Sequence, residues 1–203
     1  LPMSSGARRL RRASDAGVTE HDCPGTRAVM QDVTTPDIPD TMQAAYIDEL
    51  GPAEHIRYGE LPTPRIGSTD VLVAVVAVAV DPVDVLVRSG AFPIPTPFPF
   101  VIGRDLVGRV VAVGAAVSEF AAGQWVWANS LGHGGRQGSF AQYAAVPADR
   151  LYHLPDGVDP IQAVAVAHPA ATAHFGLFQH GHLRLDDAVY IGGGAGNVGD
   201  AAI

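Results

Sequence analysis

The pattern of apolar and polar positions changes character twice along the chain. Residues 1–41 mix Arg8, Arg9, Arg11 and Arg12 with scattered acids, prolines and small residues, and carry neither helical nor strand periodicity. They are expected to be a disordered N-terminal extension. From Met42 short valine-rich and aromatic stretches alternate with turn signals: Ala44–Ile47 and His55–Glu60 flank Gly51-Pro52, and Val71–Val80 and Leu106–Val113 are the strongest strands. Trp125–Ala128, Phe140–Val146 and Arg150–Leu154 continue at barrel-like spacing, with Gly90, Gly103, Gly114 and Gly123 marking turns. An all-β domain over residues 42–160 follows.

After Pro155 the texture turns alanine-rich. Pro160–Ala167 and Ala170–Phe178, each proline-led or proline-flanked, predict two helices, and Ala188–Ile191 predicts a short apolar strand before a glycine-rich turn. The expected fold class is therefore mixed β and α/β, with residues 161–203 opening a second, doubly wound domain.

Composition narrows the function classes. The 203 residues are 47% hydrophobic and 17% charged, which suits a globular protein of one to two domains. Val71–Val80, bracketed by Asp70 and Asp81, falls short of the roughly 18 apolar residues of a membrane span, so no membrane partner is expected. A net charge of −8 argues against nucleic acid, whose phosphates need clustered cations. Cys23 is the sole cysteine, which excludes an intrachain disulfide and a multi-thiolate zinc site within the chain and fits a reducing, cytoplasmic setting. Every Lys+Arg position is arginine, so a lysine Schiff base is excluded within these residues.

Gly194-Ala195-Gly196-Asn197-Val198-Gly199 matches G-x-G-x-x-G directly after a predicted strand. The first glycine suits a tight turn, the second lets backbone approach a pyrophosphate, and the third lets a helix pack close to the strand. Read alone, the hexapeptide is equally a flexible loop, and the position of the acid that would read a ribose, about 20 residues downstream, lies beyond Ile203.

Taken together, the segments resemble the zinc-independent quinone oxidoreductase (zeta-crystallin-like) branch of the medium-chain dehydrogenase/reductase superfamily. The likeness is carried by Met42-Gln-Ala-Ala-Tyr with Gly51-Pro52, Val80-Asp-Pro-Val-Asp with Val87-Arg-Ser-Gly90, Phe100-Val-Ile-Gly-Arg-Asp105 and Phe120-Ala-Ala-Gly123. Gly138-Ser-Phe-Ala-Gln-Tyr143, Ala171-Thr172-Ala173 and the glycine loop continue in the family's order. The resemblance implies a GroES-like barrel followed by a Rossmann domain, of which only the first strand and loop are expected here, so the chain reads as the front part of a longer protein. It also implies NADPH or NADH as cofactor, a homodimer when full-length, and hydride transfer to a quinone or α,β-unsaturated carbonyl. A non-catalytic NADPH-binding protein and an inactive fragment are the alternatives.

Zinc-dependent relatives place a cysteine in the segment matching Val80–Asp84 and Gly-His-Glu where this chain has Gly103-Arg104-Asp105. A guanidinium is no zinc ligand, so no metal is expected. His168, His174, His180 and His182 lack the i, i+4 spacing of a helical pair and read as helix-end or surface histidines.

By the resemblance, Asp81 stands where many relatives have an asparagine near nicotinamide and substrate. It is the candidate catalytic residue, as a proton relay or a positioner of a hydroxyl, or else a loop aspartate capping the turn to Asp84. Leu86 and Phe92 replace tyrosines of some relatives and would make the substrate pocket apolar, suiting an aromatic or apolar acceptor, or are ordinary core residues. Pro82, Thr172 and the loop residues Gly194, Ala195, Gly196, Asn197, Val198 and Gly199 are the cofactor candidates, with a helix cap the other reading of Thr172. Asn129, His133, Arg136 and Gln137 lie in a glycine-rich stretch that either covers the cleft or is a plain exposed loop.

Overall fold

The computed structural model describes residues 37–203. Two antiparallel sheets make up the first part. Strands β1 (Thr41–Ile47), β2 (Arg57–Pro62) and β4 (Phe100–Val101) form a sheet in the order β2-β1-β4. Strands β3 (Asp70–Ala79), β5 (Asp105–Val113), β6 (Trp125–Ala128), β7 (Tyr143–Pro147) and β8 (Tyr152–His153) form the other in the order β7-β3-β5-β6-β8. Backbone bonds join the sheets through the segment before β7: Ala45 N–H donates to Phe140 O and Gln142 N–H to Gln43 O. Of the N-terminal extension expected over residues 1–41, residues 1–36 lie outside the described residues, and Thr41 already belongs to β1.

Alternation explains which side chains meet. Val71, Val73, Leu106, Val110, Val126 and Val146 point inward and are almost wholly buried, with Phe120, Leu131 and Leu151 closing the same cluster. Each such side chain contributes about 1.5–3 kcal/mol relative to exposure. A second cluster, Ile47, Val87, Phe100 and Ile102, forms where α1 (Pro82–Ser89) lies against the smaller sheet. Gly108 permits the closest approach of β5 to β3, since a Cβ there would come within 2.3 Å of Ala74 O.

Helix α1 corrects the expected turn at Asp81–Asp84. Its sequence carries the marks of a helix: Asp81 at the N-cap, Pro82 in the first turn, and Gly90 at the C-cap with φ of 80°. The second half differs more. The two helices expected either side of His168-Pro169 are one, α2 (Pro160–His174), which continues as a π-helical turn over Phe175–His180. Pro169 removes one amide donor, but it is buried, as are Val164 and Ala173, and tertiary burial with alanine-rich flanks offsets that loss. Ala188–Ile191 forms no strand: Val189 and Tyr190 are exposed, and among the described residues no strand pairs with them. A strand without a neighbour leaves its amides unpaired. The chain then turns through Gly192–Gly194 into the short α3 (Asn197–Ala202).

Registry places the site. Ala79 at the end of β3 pairs with Asp105 at the start of β5, so the chain leaving β3 sets Asp81 beside Asp105. Helix α2 packs across β3 and β5 and against α3.

Candidate functional site

Where the ends of β3 and β5 meet α2, four ionisable side chains converge. Asp105 is fully buried, and its Oδ1 lies 3.2 Å from His168 Nδ1. Asp81 Oδ2 approaches the same nitrogen at 3.9 Å. Asp84, buried in the first turn of α1, accepts the Asp81 backbone N–H at 2.8 Å. Arg104 stands next to Asp105 in sequence, close enough for its charge to act on Asp81, Asp84 and His168.

Burial and like charge set the proton affinities. Asp81 is pushed up from its ordinary 3.8, first by desolvation and then by Asp105. Asp84 is pushed up to about 6, chiefly by desolvation, with Asp81 and Asp105 adding to it. His168 is also pushed up, first by its hydrogen bond to Asp105, with desolvation opposing. The arrangement therefore favours a proton held among these groups.

The glycine loop faces this cluster across a cleft of about 390 Å³ lined by Asp81, Pro82, His168, Pro169, Gly196, Asn197, Val198 and Gly199. Six of the residues singled out from sequence thus line one cleft: Asp81, Pro82 and the four loop residues from Gly196 onward. Gly194 and Ala195 do not line it. The tight turn is made by Gly193, with φ of 76°, rather than by Gly194. Gly199 packs closely on the turn rather than on a strand, since a Cβ there would meet Gly193 O at 2.2 Å.

Other expectations land elsewhere. Thr172 neither starts nor caps a helix: it lies inside α2, where its hydroxyl donates to His168 O at 2.9 Å. Leu86 and Phe92 are exposed and do not line the cleft, although the Phe92 and His133 rings approach to 6.5 Å. The stretch Asn129–Gly138 is more than an exposed loop. Gln137 braces the segment before β4, donating to Pro97 O and Pro99 O and accepting from Val101 N–H, and Arg136 donates to Ser130 O.

His168 overturns its reading as a helix-end or surface histidine. It sits within α2, partly buried and facing two carboxylates, whereas His174, His180 and His182 are exposed. Local spacing carried no sign of this, because its partner Asp105 is 63 residues away. The available signal was a polar residue interrupting an otherwise apolar alanine and valine run.

Among the described residues, Asp81, Asp105 and His168 are the one group of three whose donor atoms, all within 4.8 Å of one another, could hold a metal ion. Gly196–Gly199, Pro82 and Pro169 line the same cleft and could hold a bound molecule. A proton-holding cluster facing a glycine loop suits a reaction in which charge develops on a bound molecule.

Residues 67–156 match the alcohol dehydrogenase GroES-like domain. The match supports the resemblance to the medium-chain dehydrogenase/reductase superfamily. It is 36% identical over 142 residues to a quinone oxidoreductase of Sus scrofa, covering 70% of this chain and 41% of that protein. It is 34% identical over 172 residues to a chloroplastic NADPH-dependent alkenal/one oxidoreductase of Arabidopsis thaliana, covering 82% and 44%. A mycobacterial structure complexed with NADPH superposes with a TM-score of 0.70 at 30% identity, covering 79% of this chain and 48% of that one. The chain thus spans about half the length of the relatives it matches. The GroES-like part of the expected fold class is present as the two sheets described above.

Proposed function

We propose that the complete protein is an NAD(P)H-dependent reductase that works without zinc and passes hydride to a quinone or an α,β-unsaturated carbonyl. The observation that carries this reading is the cleft in which Gly196–Gly199 faces Asp81, Pro82 and His168. Quinone and alkenal/one reductases among its relatives support the acceptor class, and a neighbour bound to NADPH supports the cofactor.

A bound dihydronicotinamide supplies the hydride; the chain's share is to bind, orient and exclude water. Backbone at Gly196–Gly199 is open to a close ligand, since none of these residues carries a bulky polar side chain. Pro82, Pro169 and Val198 give the cleft apolar walls that strengthen electrostatic interactions inside it. Asp81, facing the same space, orients an acceptor hydroxyl or relays a proton.

The donor set argues against zinc. The His168–Asp105 hydrogen bond already occupies two of the three donors, and the Arg104 charge opposes a cation. Purified full-length protein is expected to oxidise NADPH or NADH with a member of a quinone and enone panel, followed by absorbance of the reduced nicotinamide, and to keep that activity after exhaustive chelation. Loss of activity on chelation, restored by zinc, would refute the zinc-free mechanism. Saturable dinucleotide binding without turnover would instead mark a binding protein.

A further inference from the structure

We propose that His168 is the proton donor of this reduction and Asp105 its positioning residue; the inference rests on the reductase reading given above. Three observations carry it. His168 lines the cleft that also holds the glycine loop. Its Nδ1 is fixed on Asp105 Oδ1 at 3.2 Å, with Asp105 fully buried. Its other ring nitrogen, Nε2, has no hydrogen-bond partner among the described residues and is not one of the buried unpartnered atoms, so it is free for a ligand.

Hydride addition alone does not complete the reaction. When a dihydronicotinamide delivers hydride to the β-carbon of an enone, a C–H bond forms and the double-bond pair moves onto the carbonyl, giving an enolate. The His168 Nε2–H bond then breaks, its proton joins the enolate, and a neutral imidazole remains that recovers a proton from water. With a quinone the same proton converts the hydride adduct to the hydroquinone. The electron pair comes wholly from the dihydronicotinamide, and His168 changes only its protonation state. A general acid must be protonated at working pH, and the buried carboxylate on Nδ1 stabilises the imidazolium for that purpose.

The groups facing His168 fix the expected pH behaviour. Asp105 reaches it from the start of β5, Arg104 from the residue before that strand and Asp81 from the N-terminus of α1, and these with desolvation are the influences on its proton affinity. Because the net shift is upward from 6.5, the acid form persists to higher pH than in an unperturbed imidazole. Turnover should fall as pH rises through the raised value.

In full-length protein, His168→Gln is expected to lower kcat by at least about 10²-fold, the lower range for loss of a general acid, and to abolish the alkaline limb. Dinucleotide affinity, read by fluorescence titration, should change little. Asp105→Asn keeps the acid but weakens its support, so its alkaline limb should move to lower pH. A direct readout is ¹⁵N NMR of the His168 ring, which should titrate above the ordinary imidazole value in the wild type and lose its proton at lower pH in Asp105→Asn. The proposal is overturned if folded His168→Gln keeps wild-type kcat and alkaline limb, or if the wild-type ring titrates at or below the ordinary imidazole value of 6.5. A wild-type protein that oxidises neither dinucleotide removes the reductase reading itself, a different failure from an active enzyme indifferent to His168.

Discussion

The interior of the larger sheet and the stretch after α2 are made of similar residues and end up in opposite places. Val71, Val73, Leu106, Val126 and Val146 show no measurable exposure, whereas Leu185, Tyr190 and Ile203 are 92%, 94% and 87% exposed. The difference is one of partners. Each sheet strand has neighbours that pair its backbone and cover its apolar face, while Ala188–Ile191 has neither among the described residues. An apolar tetrapeptide states a preference, and only a neighbouring strand turns it into structure.

The sharpest way to break this comparison is to remove volume from its buried side. Leu106→Ala should cost about 2–5 kcal/mol, because Leu106 is enclosed by the cluster of Val71, Val73 and Val126 and the site cannot collapse freely. Chemical denaturation would register it as a lower midpoint with unchanged slope. Next in size is Gly108→Ala. The added methyl meets Ala74 O at 2.3 Å and Val73 Cγ1 at 2.6 Å, so two paired strands must separate, at roughly 1–3 kcal/mol by the ordinary scale of overpacking.

How far the sequence discloses the molecule follows the same line between local and distant partners. The strands β3, β5 and β6 were legible because valine runs and turn glycines act within a few residues. Helix α1 was equally legible in principle, through Asp81, Pro82 and Gly90, but the same residues also spell a turn. Half of the site was legible: the glycine loop announces itself, and Asp81 stands out by its place beside Pro82. The other half was not. Asp105 meets His168 only because β5 pairs with β3 while α2 lies across both, a relation set by packing rather than spacing. Pro169 further concealed it by suggesting that a helix ends where it continues.

A third test separates the barrel's dry interior from its charged rim. Asp84 rises from 3.8 to about 6 on folding because it is buried near Asp81 and Asp105. Its unfolded form ionises near 3.8 and its folded form near 6, so the folded state loses stability as pH climbs between those values, and the loss is complete above them. Asp84→Asn removes the charge while its amide oxygen can still accept the Asp81 N–H. It should stabilise the protein by roughly 1–2 kcal/mol at pH 7.5, the full shift setting a ceiling of about 3 kcal/mol, and change little at pH 4. Thermal melts at the two pH values would check this, and equal effects at both would contradict it.

Gly199→Ala asks whether a clash as severe as that at Gly108 matters when it falls outside the sheets. The methyl would meet Gly193 O at 2.2 Å, but Gly199 and Gly193 lie in the loop and α3, away from the strands. If the loop holds the dinucleotide as proposed, affinity of the full-length protein should fall about tenfold, or about 1.4 kcal/mol, since the backbone that would approach the phosphates has to shift. Proteolytic resistance of the region from β1 to β8 should stay as it was.

The smallest effect belongs to the exposed side of the comparison and tests its premise most directly. Leu185 stands 92% exposed between the π-helical turn and the tract at Ala188–Ile191, so replacing it removes almost no buried surface in this chain. Leu185→Ser should therefore alter the stability of the 203-residue chain by less than about 0.5 kcal/mol, the range of surface substitutions. The same substitution in the full-length protein is informative because the two results need not agree. A cost of more than about 1 kcal/mol there, measured by denaturation, would mean that additional chain covers Leu185 and gives the apolar stretch the partner it lacks here. Equal indifference in both would mean that its apolar character serves neither packing nor the cleft.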